Sequence, residues 1–94
     1  MLKIIFDPEN CRSIAYLDRK YVGQMVFVRH GHYWDIKHCF VLPQHREQEI
    51  AKRLMKKVME QAEKEGMKIL PTCSFAQKEC DENLHYAKMT FLYE

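Results

Sequence analysis

The sequence predicts an α+β domain: a mostly antiparallel sheet covered by one central amphipathic helix. Two observations carry this. Four short runs rich in β-branched and aromatic residues fill the stretch up to Val41, separated by turn-forming residues. From Glu49 onward the apolar residues change from a period of two to a period of 3.6.

Taken in order, "LKIIF" (2–6) is a strand stopped by the turn-rich "DPEN". "CRSIAYL" (11–17) follows, then the polar turn "DRK", then "YVGQMVFV" (21–28). "HGH" (30–32) turns around Gly31, which makes His30 and His32 turn residues. "YWDIKHCFV" (33–41) alternates, so a regular strand puts Trp34, Ile36, His38 and Phe40 on one face. Four strands with short turns make an antiparallel meander. Ile50, Ala51, Leu54, Met55, Val58, Met59 and Ala62 then form a helical stripe, with lysines, Arg53 and glutamates on the wet face. Gly66 suits the C′ position that ends the helix. "MKILP" (67–71) reads as a buried fifth strand, parallel to its neighbour if the helix is a crossover. "FAQKEC" (75–80) starts another helical stretch, and "HYAKMTFLY" fits no single pattern. Trp34, Tyr16 and Tyr21 read as packing residues on strands, and Met55 and Met59 as core.

The 94 residues make one domain, 1–94. A net charge of +2, with basic residues interleaved with glutamate as in "EKEGMK", argues against a nucleic-acid partner. No run approaches the roughly 18 apolar residues of a membrane span, and no signal peptide opens the chain. The expectation is a cytoplasmic protein in which Cys11, Cys39, Cys73 and Cys80 are reduced thiols. His30, His32, His38, Cys39, Cys73 and Cys80 are metal-ligand types, but their spacings match no zinc pattern. The oligomeric state is not legible.

"LPQHREQEIAKRL" (42–54) joins the fourth strand to the helix. Such a junction can bind a pyrophosphate through unpaired N–H groups and the helix dipole. Glycines usually serve there because a missing Cβ lets the anion approach. Here Glu47 and Glu49 occupy the stretch. The residues alone read as an ordinary helix start, with acidic residues in the first turn each stabilising by about 0.3–1 kcal/mol. Another reading has a glutamate carboxylate folding back onto the loop amides, so that the free protein caps itself.

Residues 33–76 resemble the small single-domain acetyltransferases of the GNAT superfamily (GCN5-related N-acetyltransferases). The family pattern is a strand ending in His, a hydrophobic strand end, an acyl-CoA pyrophosphate loop [Q/R]-x-x-G-x-[G/A], a helix, and a strand leading into P-[S/T]-C-S-aromatic. In this chain His38 closes "DIKH", "CFVLP" follows, the loop is "REQEIA" (46–51) and the later motif is "PTCSF" (71–75). A looser likeness covers about residues 13–93. Arg46 and Ala51 satisfy the loop, but its required glycine is Glu49; a register starting at Gln44 fits worse.

The resemblance implies a GNAT-like fold whose fifth strand splays from the fourth, with acetyl-CoA in the splay. Its pyrophosphate would meet Arg46, Glu47, Gln48, Glu49, Ile50 and Ala51, and its pantetheine would run beside Phe40 and Val41. His38 by pattern is a hydrogen-bonded core residue or a general base for an amine; the resemblance places it near the thioester. Cys73 is a small core residue, a proton donor to the departing CoA thiolate, or a transient acyl acceptor; the resemblance places it in the active site, with Ser74 beside it. From its place after the second helical stretch, Tyr86 is expected to cover the pocket. A backbone N–H of the fourth strand would polarise the thioester carbonyl. The implied activity is acetyl transfer from acetyl-CoA to an amine, with an accessible acceptor such as a protein N-terminus, a lysine or a polyamine. The alternative is a non-catalytic GNAT-like protein with weak or lost CoA binding, because the loop glycine is Glu49.

Overall fold

The computed structural model describes residues 1–91, apart from the side chains of Glu47 and Gln48. The strands are β1 (Leu2–Asp7), β2 (Arg12–Leu17), β3 (Lys20–Arg29), β4 (Tyr33–Val41) and β5 (Lys68–Pro71), in that spatial order in one sheet. β1 to β4 pair antiparallel as a meander. β5 pairs parallel with β4, because the helix α1 (Ile50–Lys64) returns the chain across the sheet. The helices α2 (Ser74–Glu82) and α3 (Leu84–Ala87) follow. The tail that fits no single pattern is thus partly α3, followed by an isolated parallel bridge from Thr90 to Ile69; residues 92–94 lie outside the described residues.

α1 buries Ile50, Leu54, Met55, Val58, Met59 and Ala62, the stripe predicted from the period. Fully burying such a side chain is worth about 1.5–3 kcal/mol. Opposite lie Ala15, Met25, Phe27, Trp34, Ile36 and Ile69, all buried in the same core. Ser13 is also fully buried, and its Oγ donates to the Leu54 carbonyl at 2.9 Å. That bond satisfies a hydroxyl that would otherwise be costly to bury.

The helix ends as Gly66 predicts. Gly66 adopts a positive φ of 70°. Its N–H donates to the Glu63 carbonyl at 3.1 Å, and the Met67 N–H to the Ala62 carbonyl at 2.9 Å. These are the two bonds of a Schellman cap. Gly23 matters for a different reason: a Cβ there would lie 2.6 Å from the Phe40 carbonyl oxygen. Its absence lets β3 and β4 approach closely beside the end of β4.

α2 adds Ala76 and Cys80 to the core on the α1 side. The opposite sheet face carries the partly exposed Ile5, Tyr21, Val28, Phe40 and Leu70. Tyr21 therefore faces outward rather than packing. No helix among the described residues is long and apolar enough to cross a membrane.

Candidate active site

β4 has nine residues and β5 has four. Their pairing runs only from Tyr33↔Lys68 to Ile36↔Pro71. The chain then turns away, and the N–H groups of Thr72 and Cys73 both donate to the Ile36 carbonyl, at 3.1 and 3.0 Å. Past this apex, residues 37–41 of β4 have no strand on that side among the described residues. At the far end the Arg46 Nε donates to the Val41 carbonyl at 3.3 Å. The result is a V-shaped opening between β4 and the β5–α2 junction, the splay expected of the fifth strand.

The two arms are shaped by an irregularity in β4. Phe27 pairs with Ile36 and Val26 with His38, so Lys37 is an extra residue, a β-bulge. A one-residue insertion reverses which side chains face which way. Trp34 and Ile36 point into the core, and after the bulge Val41 is buried and Cys39 packs against that core. His38 and Phe40 turn to the open face, where both are exposed. The expectation that His38 shares the apolar face of Trp34 and Ile36 is therefore corrected. His38 is not a core residue; its ring is accessible beside the opening.

Along the freed edge of β4 lies a groove of about 320 Å³, lined by Cys39, Phe40, Val41, Arg46, Ala51 and Phe75. Phe40, Val41, Arg46 and Ala51 were singled out from the sequence. Cys39 and Phe75 were not. Cys39 faces the groove only because of the bulge, and Phe75 only because α2 begins at Ser74. The flip in parity after Lys37–His38, two adjacent polar residues in an alternating strand, was the available signal.

The groove ends at the start of α1. Pro43–Gln48 form a 3₁₀ turn with Pro43 at its start. Glu49 then adopts the left-handed conformation, φ 57° and ψ 25°, and makes no side-chain cap. It is the N-cap, and the first turn holds no acidic residue. The expected acidic first turn is thus absent, and so is a self-cap from Glu49, whose side chain is exposed; the Glu47 and Gln48 side chains lie outside the described residues. The first turn instead carries Lys52 and Arg53, a charge that opposes the helix dipole and suits a bound anion. Ile50 is fully buried, so only its backbone can face a ligand. Within the 3₁₀ turn the buried His45 Nδ1 has no hydrogen-bond partner among the described residues.

Cys73 sits at the apex as the N-cap of α2, half-buried, with its Sγ accepting the Ala76 N–H at 3.3 Å. Burial, with a smaller contribution from nearby Cys73, pushes the Cys39 thiol up to about 12. Cys39 is therefore a neutral wall of the groove. Ser74 is exposed at the first position of α2, outside the groove lining. Tyr86 lies elsewhere: with Met59, Glu60 and His85 it lines a separate cavity between α3 and α1, so the expectation that it covers the groove is corrected.

The family model described as GCN5-related N-acetyl-transferase matches residues 12–89. A search of curated proteins gives no match. Among solved structures, the chain is similar to the crystal structure of ribosomal-protein-alanine N-acetyltransferase from Brucella melitensis biovar Abortus 2308, at 21% identity and a TM-score of 0.59. The similarity covers 77% of this chain and 62% of that one, and it is a likeness of fold. The chain thus spans less than two thirds of that neighbour's length.

Proposed function

Because the chain belongs to the GCN5-related N-acetyltransferase family, we propose that it transfers an acetyl group from acetyl-CoA to a primary amine. The observation that carries this reading is the parting of β4 and β5 at Ile36, with a groove that runs along the freed edge to a helix start that Glu49 does not cap with its side chain. In this reading the pyrophosphate meets the backbone of residues 47–51, with Arg46 beside it. The pantetheine arm lies against Cys39, Phe40, Val41 and Phe75. A backbone N–H of β4 polarises the thioester carbonyl.

The amine reaches the thioester from the open sheet face. Its nitrogen attacks the carbonyl carbon, the carbon–sulfur bond breaks, and His38 takes the proton from nitrogen, directly or through a water. Cys73 protonates the leaving thiolate, and Ser74 supports it. The fold neighbour is named for acetylating an alanine of a ribosomal protein, so a peptide N-terminus is the first acceptor to try, then lysine and polyamine. A cytoplasmic setting fits this chemistry. Glu49 favours a second reading, a non-catalytic family member that holds CoA weakly or not at all.

The test is a thermal shift with acetyl-CoA followed by turnover. Binding to the native state at a hundredfold excess over Kd should add about 2.7 kcal/mol. Absence of any shift at millimolar acetyl-CoA sinks the cosubstrate assignment. Turnover is read by mass spectrometry of the acetylated amine. His38→Ala should lower it by about 10²–10⁴-fold. If His38→Ala and Cys73→Ala both keep full turnover, these catalytic assignments are wrong.

A further inference from the structure

We propose that Asp35 is a positioning residue, the hub of a side-chain latch that holds both arms of the β4–β5 opening; its catalytic consequence rests on the acetyl-transfer reading above. Asp35 lies on β4, one residue before the apex, with its side chain only 8% exposed. One carboxylate oxygen accepts the Thr72 hydroxyl. The other accepts the Lys37 ammonium at 3.0 Å. Thr72 is the first residue beyond β5, and Lys37 is the bulge residue of β4. Each anchor immediately precedes a residue of the proposed chemistry: Thr72 precedes Cys73, and Lys37 precedes His38.

A buried carboxylate is costly unless it is hydrogen-bonded or paired. Thr72 is exposed and Lys37 is 47% exposed, so neither needs this bond to be soluble. The hydrophobic core does not need it either, because Asp35 faces away from α1. What the contacts do fix is geometry. Backbone bonds to Ile36 hold the apex itself, but they do not set how far the two arms rotate about it. The Asp35 side chain spans both arms and supplies that constraint.

The test is a matched pair of variants at the exposed anchor, read in two ways. Thr72→Val keeps the shape and removes the hydroxyl; Thr72→Ser keeps the hydroxyl. In the substrate-free protein, the rate of Cys73 alkylation by iodoacetamide reports the latch whether or not the protein is an acetyltransferase. Thr72→Val should change that rate clearly, and Thr72→Ser should restore it. In turnover, Thr72→Val should lower kcat by about tenfold or more, since a misplaced reacting group loses rate steeply. KM for acetyl-CoA should stay nearly unchanged, because the loss is confined to the transition state. Asp35→Ala should repeat the Thr72→Val result; if it does not fold, the Thr72 pair decides. Identical alkylation by wild type, Thr72→Val and Thr72→Ser overturns the latch. So does a change in Thr72→Ser with Thr72→Val left like wild type, which would assign the effect to packing of the methyl group that valine keeps. An effect on alkylation with no turnover in wild type leaves the latch standing and removes the acetyl-transfer reading.

Discussion

Replacing Glu49 with glycine alters the backbone and the charge at the end of the groove, and the two effects can be separated. Glu49 sits at φ 57° and ψ 25°. For an L-residue the left-handed conformation costs about 1–2 kcal/mol. Glycine removes that cost, and its extra freedom in the unfolded chain takes back about 0.5–1 kcal/mol. At the midpoints of these ranges the net gain is about 0.75 kcal/mol, which for a domain of this size raises Tm by about 3–6 °C. The charge effect concerns CoA alone. A carboxylate about 6 Å from a pyrophosphate charge is repelled by roughly 3 kcal/mol at an effective dielectric of 20, and by about 0.7 kcal/mol at that of water. The Glu49 side chain is exposed, so screening pulls the value toward the lower bound. Glu49→Gly should therefore tighten CoA binding by about threefold at least and a hundredfold at most. Calorimetric titration of CoA at low and high salt, beside a melting curve without ligand, reads both. Glu49→Gln isolates the charge: it should gain affinity at low salt without gaining Tm. An unchanged or weaker CoA affinity in Glu49→Gly would refute the idea that this residue is the obstacle. An unchanged Tm would refute the strain argument.

Three further outcomes follow from the geometry. Gly66→Ala should lower stability by about 1 kcal/mol through its left-handed backbone alone, since nothing lies near its missing Cβ; Gly31→Ala, without a positive φ, is the control in the same melting experiment. Cys39, pushed up to about 12 by burial, should resist iodoacetamide at pH 8 in the native protein and react once it is unfolded, as read by peptide mass spectrometry. Burial raises the Asp35 carboxyl, but its bonds from Thr72 and Lys37 outweigh this and hold it below the usual value. Its contribution to stability is therefore complete above the ordinary aspartate range near pH 3.9 and is lost as pH falls through the depressed native value. Asp35→Asn should flatten acid denaturation across that window; an unchanged profile would refute the assignment.

Much of this molecule was legible because its signals are local and redundant. The α1 stripe repeats over four turns, and Gly66 marks its end with a conformation few other residues adopt. The parallel fifth strand followed from the crossover. His38 was misplaced because one inserted residue, Lys37, reverses the facing of everything after it while changing the composition hardly at all. The bulge in turn decides whether Cys39 or His38 faces the core. Glu49 was recognised as standing at a glycine position through the motif, but its left-handed backbone emerged only with the 3₁₀ turn before it. The Asp35 latch was invisible because its partner on the other arm is distant in sequence: Thr72 meets Asp35 only after the crossover.

The short pairing of β5 also bears on how the molecule breathes. A four-residue ladder and two backbone bonds to one carbonyl tie β5 and the start of α2 to the meander, while the bridge to Thr90 joins β5 only to the segment after α3. The meander and α1 share far more buried surface. Amide hydrogens of β5 and α2 should therefore exchange through a partial opening well below the free energy of global unfolding, while those of β2 and β3 await the global event. Such an opening detaches Cys73 from Ile36 and dissolves one wall of the groove. Anything that bridges the two arms slows exchange there first, giving a residue-resolved record of occupancy that requires no turnover.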